Sequence, residues 1–286
     1  MLFDPSKIKL TNARELITTP IPENAFVIEP RILPKGGKLI FGGTTKTGKT
    51  FLALNLIKAL LTGRHPWGNK EWSCKPGNRV LMIEKEVGPW GMGERLRNIF
   101  ADVDEKTQEA FKIITMPLGL SLSSGECVQH LKALCNDLGT DVIVYDPINK
   151  LSHFHENDSS DILRLIDALD TVADGKVASV YSQHFSKPLR GKEAIDWDRL
   201  DHYNFRGSSR FVDDADAILT AWRRQGKLVA SHDSWKLDAR LTLRHGPSPD
   251  DFMFYVNEHN DGGVEVRPAE PEDEKKPKAK PAKYLF

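Results

Sequence analysis

The stretch from Gly43 to Thr50 has the spacing of a phosphate-binding loop. It reads Gly-Thr-Thr-Lys-Thr-Gly-Lys-Thr and fits the pattern G-x-x-x-x-G-K-S/T. Glycines let the backbone turn so that successive N–H groups converge on an anion, and the positive N-terminal end of a following helix adds to the attraction. In this pattern Lys49 reaches the β- and γ-phosphates, and the Thr50 hydroxyl binds Mg²⁺. The stretch therefore predicts a site for a nucleoside triphosphate with Mg²⁺.

We expect the whole loop to hold the phosphates. Its residues are Gly43, Thr44, Thr45, Lys46, Thr47, Gly48, Lys49 and Thr50. Some P-loop ATPases have an additional functional lysine five positions before the P-loop lysine. That position is Thr44 here, so Lys46 does not correspond to it. We interpret Lys46 as a solvated or partner-facing charge.

Acidic residues follow two apolar runs downstream of the loop. Glu84 and Glu86 come at the end of the run 79–83, and Asp146 ends the run 141–145. In α/β sheets, ligands bind at the carboxyl ends of parallel strands. A glutamate placed there would orient a water molecule against the γ-phosphate, and Asp146 would help to hold the Mg²⁺ shell. The alternative for Asp146 is a plain turn residue at a strand end.

Histidines follow the later strands. His184 comes shortly after the apolar run 177–181, where it would either contact the γ-phosphate or be a satisfied core histidine. The sequence favours neither. His153 and His155 match no strong zinc spacing. We therefore expect residues 153–158 to form a loop near the nucleotide, with Asp158 capping the next helix.

Hydrophobic periodicity predicts the elements that position these residues in an α/β protein. A strand at 39–41 leads through the loop into a helix that begins near Thr50 and is capped by Gly63. Further strands are expected at 79–83, 111–116, 141–146, 177–181, 227–231, 240–244 and 252–257, with a short edge at 264–267. Further helices are expected at 94–100, 125–138 and 159–172, and another opens at 206–210 and runs through 212–222. We also predict a flexible turn at 88–93 and surface positions for Trp67 and Trp72.

Composition restricts the class of protein. The chain has 286 residues, with Lys plus Arg and Asp plus Glu balanced at 40 each, so no global basic field indicates nucleic-acid binding. The three cysteines have no metal spacing, which suits a reducing cytosol. No apolar run approaches the length of a membrane span. We expect a cytoplasmic protein with a lead-in at 1–37, one core domain at 38–267 and a flexible Pro/Lys/Glu-rich tail at 268–286.

These motifs, taken in order, resemble the RecA-like ATPases, and most closely the RepA-like hexameric replicative helicases of plasmids. The resemblance spans about residues 22–222. The matching motifs are GGTTKTGKT at 42–50, VLMIEKEVGPWGMGERL at 80–96, VIVYDPINKLSHFHEND at 142–158, YSQHFSK at 181–187 and RGSSRFVDDADAIL at 206–219. It implies a RecA-like P-loop NTPase fold, with a mostly parallel central sheet, flanking helices and extra C-terminal strands.

The resemblance also implies individual roles. The family's catalytic glutamate stands nine residues before an Arg-Leu pair, and counting back from Arg95 gives Glu86 as the general base, with Glu84 as runner-up. The γ-phosphate sensor falls on His184. Arg206 matches an arginine that reaches the nucleotide of a neighbouring subunit. The chain departs from the family at 213–216, where relatives often have arginine, and this leaves the contacts between subunits open.

The leading functional hypothesis is an ATP-hydrolysing motor that forms a hexameric ring. It would act with Mg²⁺ on single-stranded DNA as a helicase or translocase. Its DNA grip is expected within 187–205, which offers Lys187, Arg190, Lys192 and Arg199 alongside several acids. The alternative is a regulatory or loader ATPase that binds a protein partner, for instance through the apolar segment Tyr284–Phe286. A small-molecule kinase is disfavoured because no separate lid or acceptor-binding segment is apparent.

Overall fold

The computed structural model describes residues 11–153, 158–185, 198–205, 210–224, 234–258 and 264–269. Its strands are β1 (Phe26–Glu29), β2 (Leu33–Pro34), β3 (Lys38–Gly43), β4 (Ser73–Cys74), β5 (Val80–Glu84), β6 (Phe111–Thr115), β7 (Val142–Asp146), β8 (Ala178–His184), β9 (Ala217–Arg223), β10 (Ser234–Leu243), β11 (Phe252–Glu258) and β12 (Val264–Pro268). Its helices are α1 (Ala13–Thr18), α2 (Lys49–Thr62), α3 (Gly88–Ile99), α4 (Glu105–Glu109), α5 (Gly125–Leu138), α6 (Ser159–Ala173) and α7 (Arg210–Asp214).

Among the described residues, nine strands form one sheet in the order β12-β11-β10-β9-β3-β8-β7-β5-β6. All pairs from β6 to β9 are parallel. Strands β9 to β12 pair antiparallel. The expected fold is confirmed: a mostly parallel central sheet flanked by helices, with additional strands from the C-terminal part. The phosphate-loop strand β3 pairs in parallel with both β8 and β9, and the pairing changes to antiparallel at β9.

The central strands are buried because helices cover both faces of the sheet. Every residue of β3, β5 and β7 is buried, as their continuous apolar runs require in a parallel sheet. Helix α2 packs in the core on one face, and α5 and α6 pack in the core on the other. This burial fixes the strands in register, so that the residues at their carboxyl ends lie at one edge.

Local signals end the helices where the sequence predicts. Helix α2 stops at Gly63, which adopts a left-handed conformation with φ 73° and donates its N–H to the Ala59 carbonyl. Helix α5 ends in the same way at Gly139. Asp158 caps α6 by accepting the N–H groups of Ser160 and Asp161. These expected boundaries are therefore confirmed.

The expectation of surface positions for Trp67 and Trp72 is wrong. Their exposed fractions are 1% and 4%, and the two rings pack edge to face with centroids 5.6 Å apart. Trp67 also donates its indole N–H to the Leu52 carbonyl of α2 at 2.9 Å. The rings contact Phe252 and Phe254 of β11, so the antiparallel strands cover what the local sequence presents as a loop.

Two predicted elements differ in the structure. Residues 88–93, expected as a turn, form the first half of α3, where Met92 is buried. The helix expected over 212–222 is only the short α7, and the chain then enters β9 beside β3. The side chain of Asp216, which lies between α7 and β9, accepts the Lys38 N–H at 2.8 Å and ties this junction to β3.

The lead-in contributes short elements and buried side chains. Strands β1, β2 and β4 form a small separate sheet, with Val27, Ile28 and Leu33 in the core. The strand predicted at 227–231 and the tail from 270 onward lie outside the described residues. Within the described part of the chain, no helix combines the length and apolar character needed to cross a bilayer.

Candidate active site

The loop between β3 and α2 is shaped by its own hydrogen bonds. The buried Thr47 hydroxyl donates to the Thr44 carbonyl at 2.8 Å. Lys46 and Gly48 have positive φ angles of 64° and 98°, which turn the chain back toward the helix. Lys46 itself is exposed, as expected for a solvated charge. The backbone has the tight, left-handed turns that a phosphate-binding loop needs.

Lys49 lies inside the loop. Its ammonium donates to the carbonyls of Gly43 at 3.1 Å and Thr44 at 2.9 Å, and it is 3.2 Å from His184 Nδ1. Burial lowers the pKa of Lys49 to about 8, although the carboxylates of Asp146 and Glu86 act in the opposite direction. The ammonium is therefore held by neutral carbonyl oxygens, and an anionic phosphate group would be a stronger hydrogen-bond acceptor for it.

Asp146 and Thr50, which the sequence predicts to bind the metal, are in direct contact. The Thr50 hydroxyl donates to Asp146 Oδ2 at 2.7 Å, and the Ser182 hydroxyl donates to Oδ1. Burial raises the pKa of Asp146, while these two hydrogen bonds and Lys49 act to lower it. A carboxylate and a hydroxyl are the hard oxygen donors that Mg²⁺ prefers. The residues thus fit Mg²⁺: Thr50 and Asp146 would hold the ion, and it would neutralise charge on the phosphates.

Glu84 and Glu86 have different environments, which distinguishes the two candidate bases. Glu84 is fully buried, and its carboxylate accepts the N–H groups of Glu86 and Val87 at 2.5 Å and of Gly88 at 3.2 Å. These bonds occupy the carboxylate at the start of α3. The Glu86 side chain is 36% exposed and points toward His184. Of the two, Glu86 is the one whose carboxylate lies beside His184, which contacts Lys49 of the phosphate loop.

A chain of charged and polar groups connects these residues. Glu86 Oε1 is 4.0 Å from His184 Nε2 and 2.9 Å from the Lys150 ammonium. His184 in turn contacts Lys49 through its other ring nitrogen. Strand register explains the arrangement, since Gly43 is paired with His184 and Glu84 with Asp146. The tips of adjacent parallel strands thereby bring Lys49, His184, Asp146 and Glu86 together.

A family comparison agrees with this geometry. A family model described as an AAA domain matches residues 3–189, which is more than half of the chain. The chain belongs to this family of P-loop ATPases. As a member, it is a nucleotide-hydrolysing ATPase. No curated protein matches it.

Sequence reasoning missed two groups of the ATPase site. Ser182 lies two positions before His184 in β8, so the strand alternation that exposes one at the site also presents the other. Lys150 belongs to a short 3-10 turn at Ile148–Lys150 that follows β7. Ile148 and Leu151 are buried and fix this turn. The only available signal for Lys150 was its proximity in sequence to Asp146.

Several residues predicted to act outside the hydrolytic centre are not described. Arg206, Lys187, Arg190 and Lys192 lie outside the described residues. Arg199 is described, and its guanidinium lies 5.6 Å from the centre of the Trp222 ring. The acidic stretch at 213–216 contacts the ATPase core from the other end of β3, since Asp214 pairs with Lys38 at 2.5 Å.

Two phenylalanines pack beside the phosphate strand. Phe185 directly follows His184. Phe205 forms a single β-bridge with Phe185. Their rings meet edge to face with centroids 5.2 Å apart. Both rings lie against Gly42, where an added Cβ would be only 2.7 Å from Phe185 Cε1 and still closer to Phe205 Cζ. Gly42 is therefore a position where a side chain would displace this aromatic pair.

Proposed function

We propose that this ATPase is an Mg-ATP-hydrolysing ring motor acting on single-stranded DNA, of the RepA-like helicase type. The contact chain from Lys49 through His184 to Glu86 supports hydrolysis most directly. Successive contacts connect the phosphate-binding Lys49, the γ-phosphate sensor His184 and the carboxylate of Glu86. A site that only bound nucleotide would not require a carboxylate opposite the γ-phosphate position.

Each residue has a defined role in this proposal. The loop N–H groups and Lys49 bind the phosphates, and Glu86 polarises the attacking water. His184 contacts the γ-phosphate and, through its two ring nitrogens, responds to both Lys49 and Glu86. Asp146 and Thr50 hold Mg²⁺. Loss of the γ-phosphate would change the surroundings of His184 first, and through it those of the adjoining Phe185.

The ring and DNA parts of the proposal rest on motif order. Arg206 follows the sensor strand as in RepA-like helicases, where the equivalent arginine completes a neighbour's site and stabilises transition-state charge. The segment after Phe185 supplies Lys187, Arg190 and Lys192 for phosphate contacts. Because this segment begins directly after the sensor histidine, nucleotide hydrolysis has a short route to bound DNA.

ATP turnover with and without single-stranded DNA, measured together with native mass, tests the proposal. We expect a closed oligomer whose turnover is stimulated by single-stranded DNA, and Lys49→Ala as the inactive control. A monomer whose turnover ignores DNA would overturn the motor and leave the regulatory or loader ATPase as the better function.

Mixing variants tests the role of Arg206 separately. Arg206→Ala and Lys49→Ala should each be inactive alone, but a mixture should regain activity, because some interfaces pair an intact loop with an intact arginine. Arg210→Ala, four residues further on in α7, is a matched control for the arginine position. Mixed rings that regain no activity would assign Arg206 to its own chain.

A further inference from the structure

Trp235 lies against the phosphate loop from the side opposite the hydrolytic groups. It belongs to β10, and an added Cβ at Gly48 would be 3.5 Å from its Cζ2 atom. The indole N–H is buried, and within the described part of the chain it has no hydrogen-bond partner. A buried donor without an acceptor is costly, so its location beside a ligand site suggests that a ligand supplies the acceptor.

Aromatic and cationic side chains surround this indole. The Phe51 ring, on the first turn of α2, is tilted toward Trp235 with centroids 6.2 Å apart. The Arg223 guanidinium lies 4.7 Å from the centre of the Trp235 ring, and that of Arg95 lies 5.1 Å from the Phe51 ring. Aromatic side chains bind nucleobases by stacking, because every base presents a flat π-face.

The order of strands determines which end of a nucleotide reaches this cluster. Glu86, Asp146 and His184 follow or end β5, β7 and β8, all on one side of β3. The γ-phosphate must face these groups for hydrolysis. The phosphate chain follows the loop toward the start of α2, so the nucleoside extends to the other side of β3, where β9 and β10 carry Arg223 and Trp235.

We propose that Trp235 and Phe51 form the nucleobase subsite of this ATPase. A purine base packs against the two rings, and the indole N–H donates to an acceptor on the base or the ribose. Arg223 holds the indole through its cation–π contact. This inference rests on the proposed hydrolysis at the adjoining phosphate loop, but it does not depend on DNA or on a ring.

Comparing two ligands that share the phosphates separates base binding from loop packing. ADP carries the base, and inorganic tripolyphosphate does not. In calorimetric titrations of the full chain, Trp235→Ala should weaken ADP binding by about tenfold or more, while tripolyphosphate affinity stays within about twofold. Trp235→Phe should lose less, because it retains an aromatic face. Trp222→Phe, a substitution of a tryptophan at the end of β9, is the matched control and should leave both affinities unchanged.

Each outcome decides the matter. An equal loss of both ligands would show that Trp235 only supports the loop, and an unchanged ADP affinity would place the base elsewhere. Fluorescence gives a second readout that does not require a destabilising variant: ADP, but not tripolyphosphate, should change the emission of the wild type, and Trp235→Phe should abolish that change. A chain that ignores DNA but shows this pattern would refute the motor and retain the base subsite.

Discussion

The nine-stranded sheet has two halves that differ in what they contribute to the ATPase. On one side of β3, the parallel strands β5, β7 and β8 present acids, hydroxyls and a histidine at their carboxyl ends. On the other side, the antiparallel strands contribute aromatic rings: Trp235 at the loop and Phe252 and Phe254 in the core. Two strands, β3 and β9, separate the nearest strand with reactive groups, β8, from the nearest strand with these aromatic rings, β10.

The difference follows from strand direction. Parallel strands all end at the same edge, so one residue per strand is enough to assemble a polar site there. Antiparallel neighbours end at opposite edges, so they cannot concentrate such groups, but their faces bury large side chains against α2. We therefore expect substitutions in the parallel half to change chemistry, and substitutions in the antiparallel half to change stability or nucleotide affinity.

The largest effect is expected at the boundary itself. Lys49→Ala should abolish ATP turnover, because it removes the buried cation that the loop directs toward the phosphates. Steady-state phosphate release is the measurement. Lys106→Ala, which changes an exposed lysine on α4, should retain full activity. Substantial turnover by Lys49→Ala would remove the phosphate loop from the mechanism.

Substituting each of the two glutamates of the parallel half by glutamine should give opposite results. Glu86→Gln should lower kcat by roughly 10²–10⁴-fold while ATP still binds, since the variant keeps the shape but not the base. Glu84→Gln should instead lower the free energy of unfolding by about 1–3 kcal/mol, because three N–H groups lose a charged acceptor.

The control for this pair is Glu94→Gln, an exposed change on α3 that should alter neither property. Full turnover by Glu86→Gln, together with an inactive but stable Glu84→Gln, would move the base to Glu84. That outcome would require the three hydrogen bonds of Glu84 to break during the reaction.

In the antiparallel half, Trp67→Ala should reduce the free energy of unfolding by about 3–5 kcal/mol, as expected for a large aromatic removed from a core. The cause is the loss of contacts with Phe41, Trp72 and Phe254 and of the hydrogen bond from the indole to the Leu52 carbonyl. Chemical denaturation measures it. Turnover per folded molecule should hardly change, and a loss of chemistry at unchanged stability would contradict the division between the halves.

The smallest effect is expected at Lys150. Its ammonium holds Glu86 at 2.9 Å but is itself half exposed, so Lys150→Met should lower kcat only a few-fold. Lys150→Arg should restore most of the loss, since the ion pair can reform. A loss as large as that of Glu86→Gln would mean that Lys150 contacts the reacting groups directly.

The sequence predicted the parallel half better than the antiparallel one, for a physical reason. Lys49, Glu86, Asp146 and His184 each follow a short apolar run, and local order along the chain is enough to place them at strand ends. Trp67 and Trp72 gave no such signal, because their partners Phe254 and Phe252 lie far away in sequence. Burial of this kind is decided by contacts that no local pattern records.

The misassigned helix at 212–222 shows the same limit. Val212, Ala215, Leu219 and Trp222 recur at helical spacing, yet the chain turns at Asp216 and continues as β9. A short apolar run that is buried on both faces has no period of its own, so periodicity cannot separate it from a helix. The strand forms because the segment pairs with β3, and the hydrogen bond from the Lys38 N–H to the Asp216 side chain supports this pairing.

The aromatic pair on Gly42 has a mechanical consequence. Phe185 and Phe205 bring two points of the chain, separated by the segment that contains Lys187 and Arg199, onto one spot of the phosphate strand. The described end of the segment also contacts β9 and β10, since the Thr220 hydroxyl donates to the Leu200 carbonyl and Arg240 pairs with Asp198. A load on the segment therefore reaches the sheet at these points as well as at the aromatic anchor on β3. Because the anchor adjoins both His184 and Gly43, tension on it pulls directly on the strand that ends in the phosphate loop.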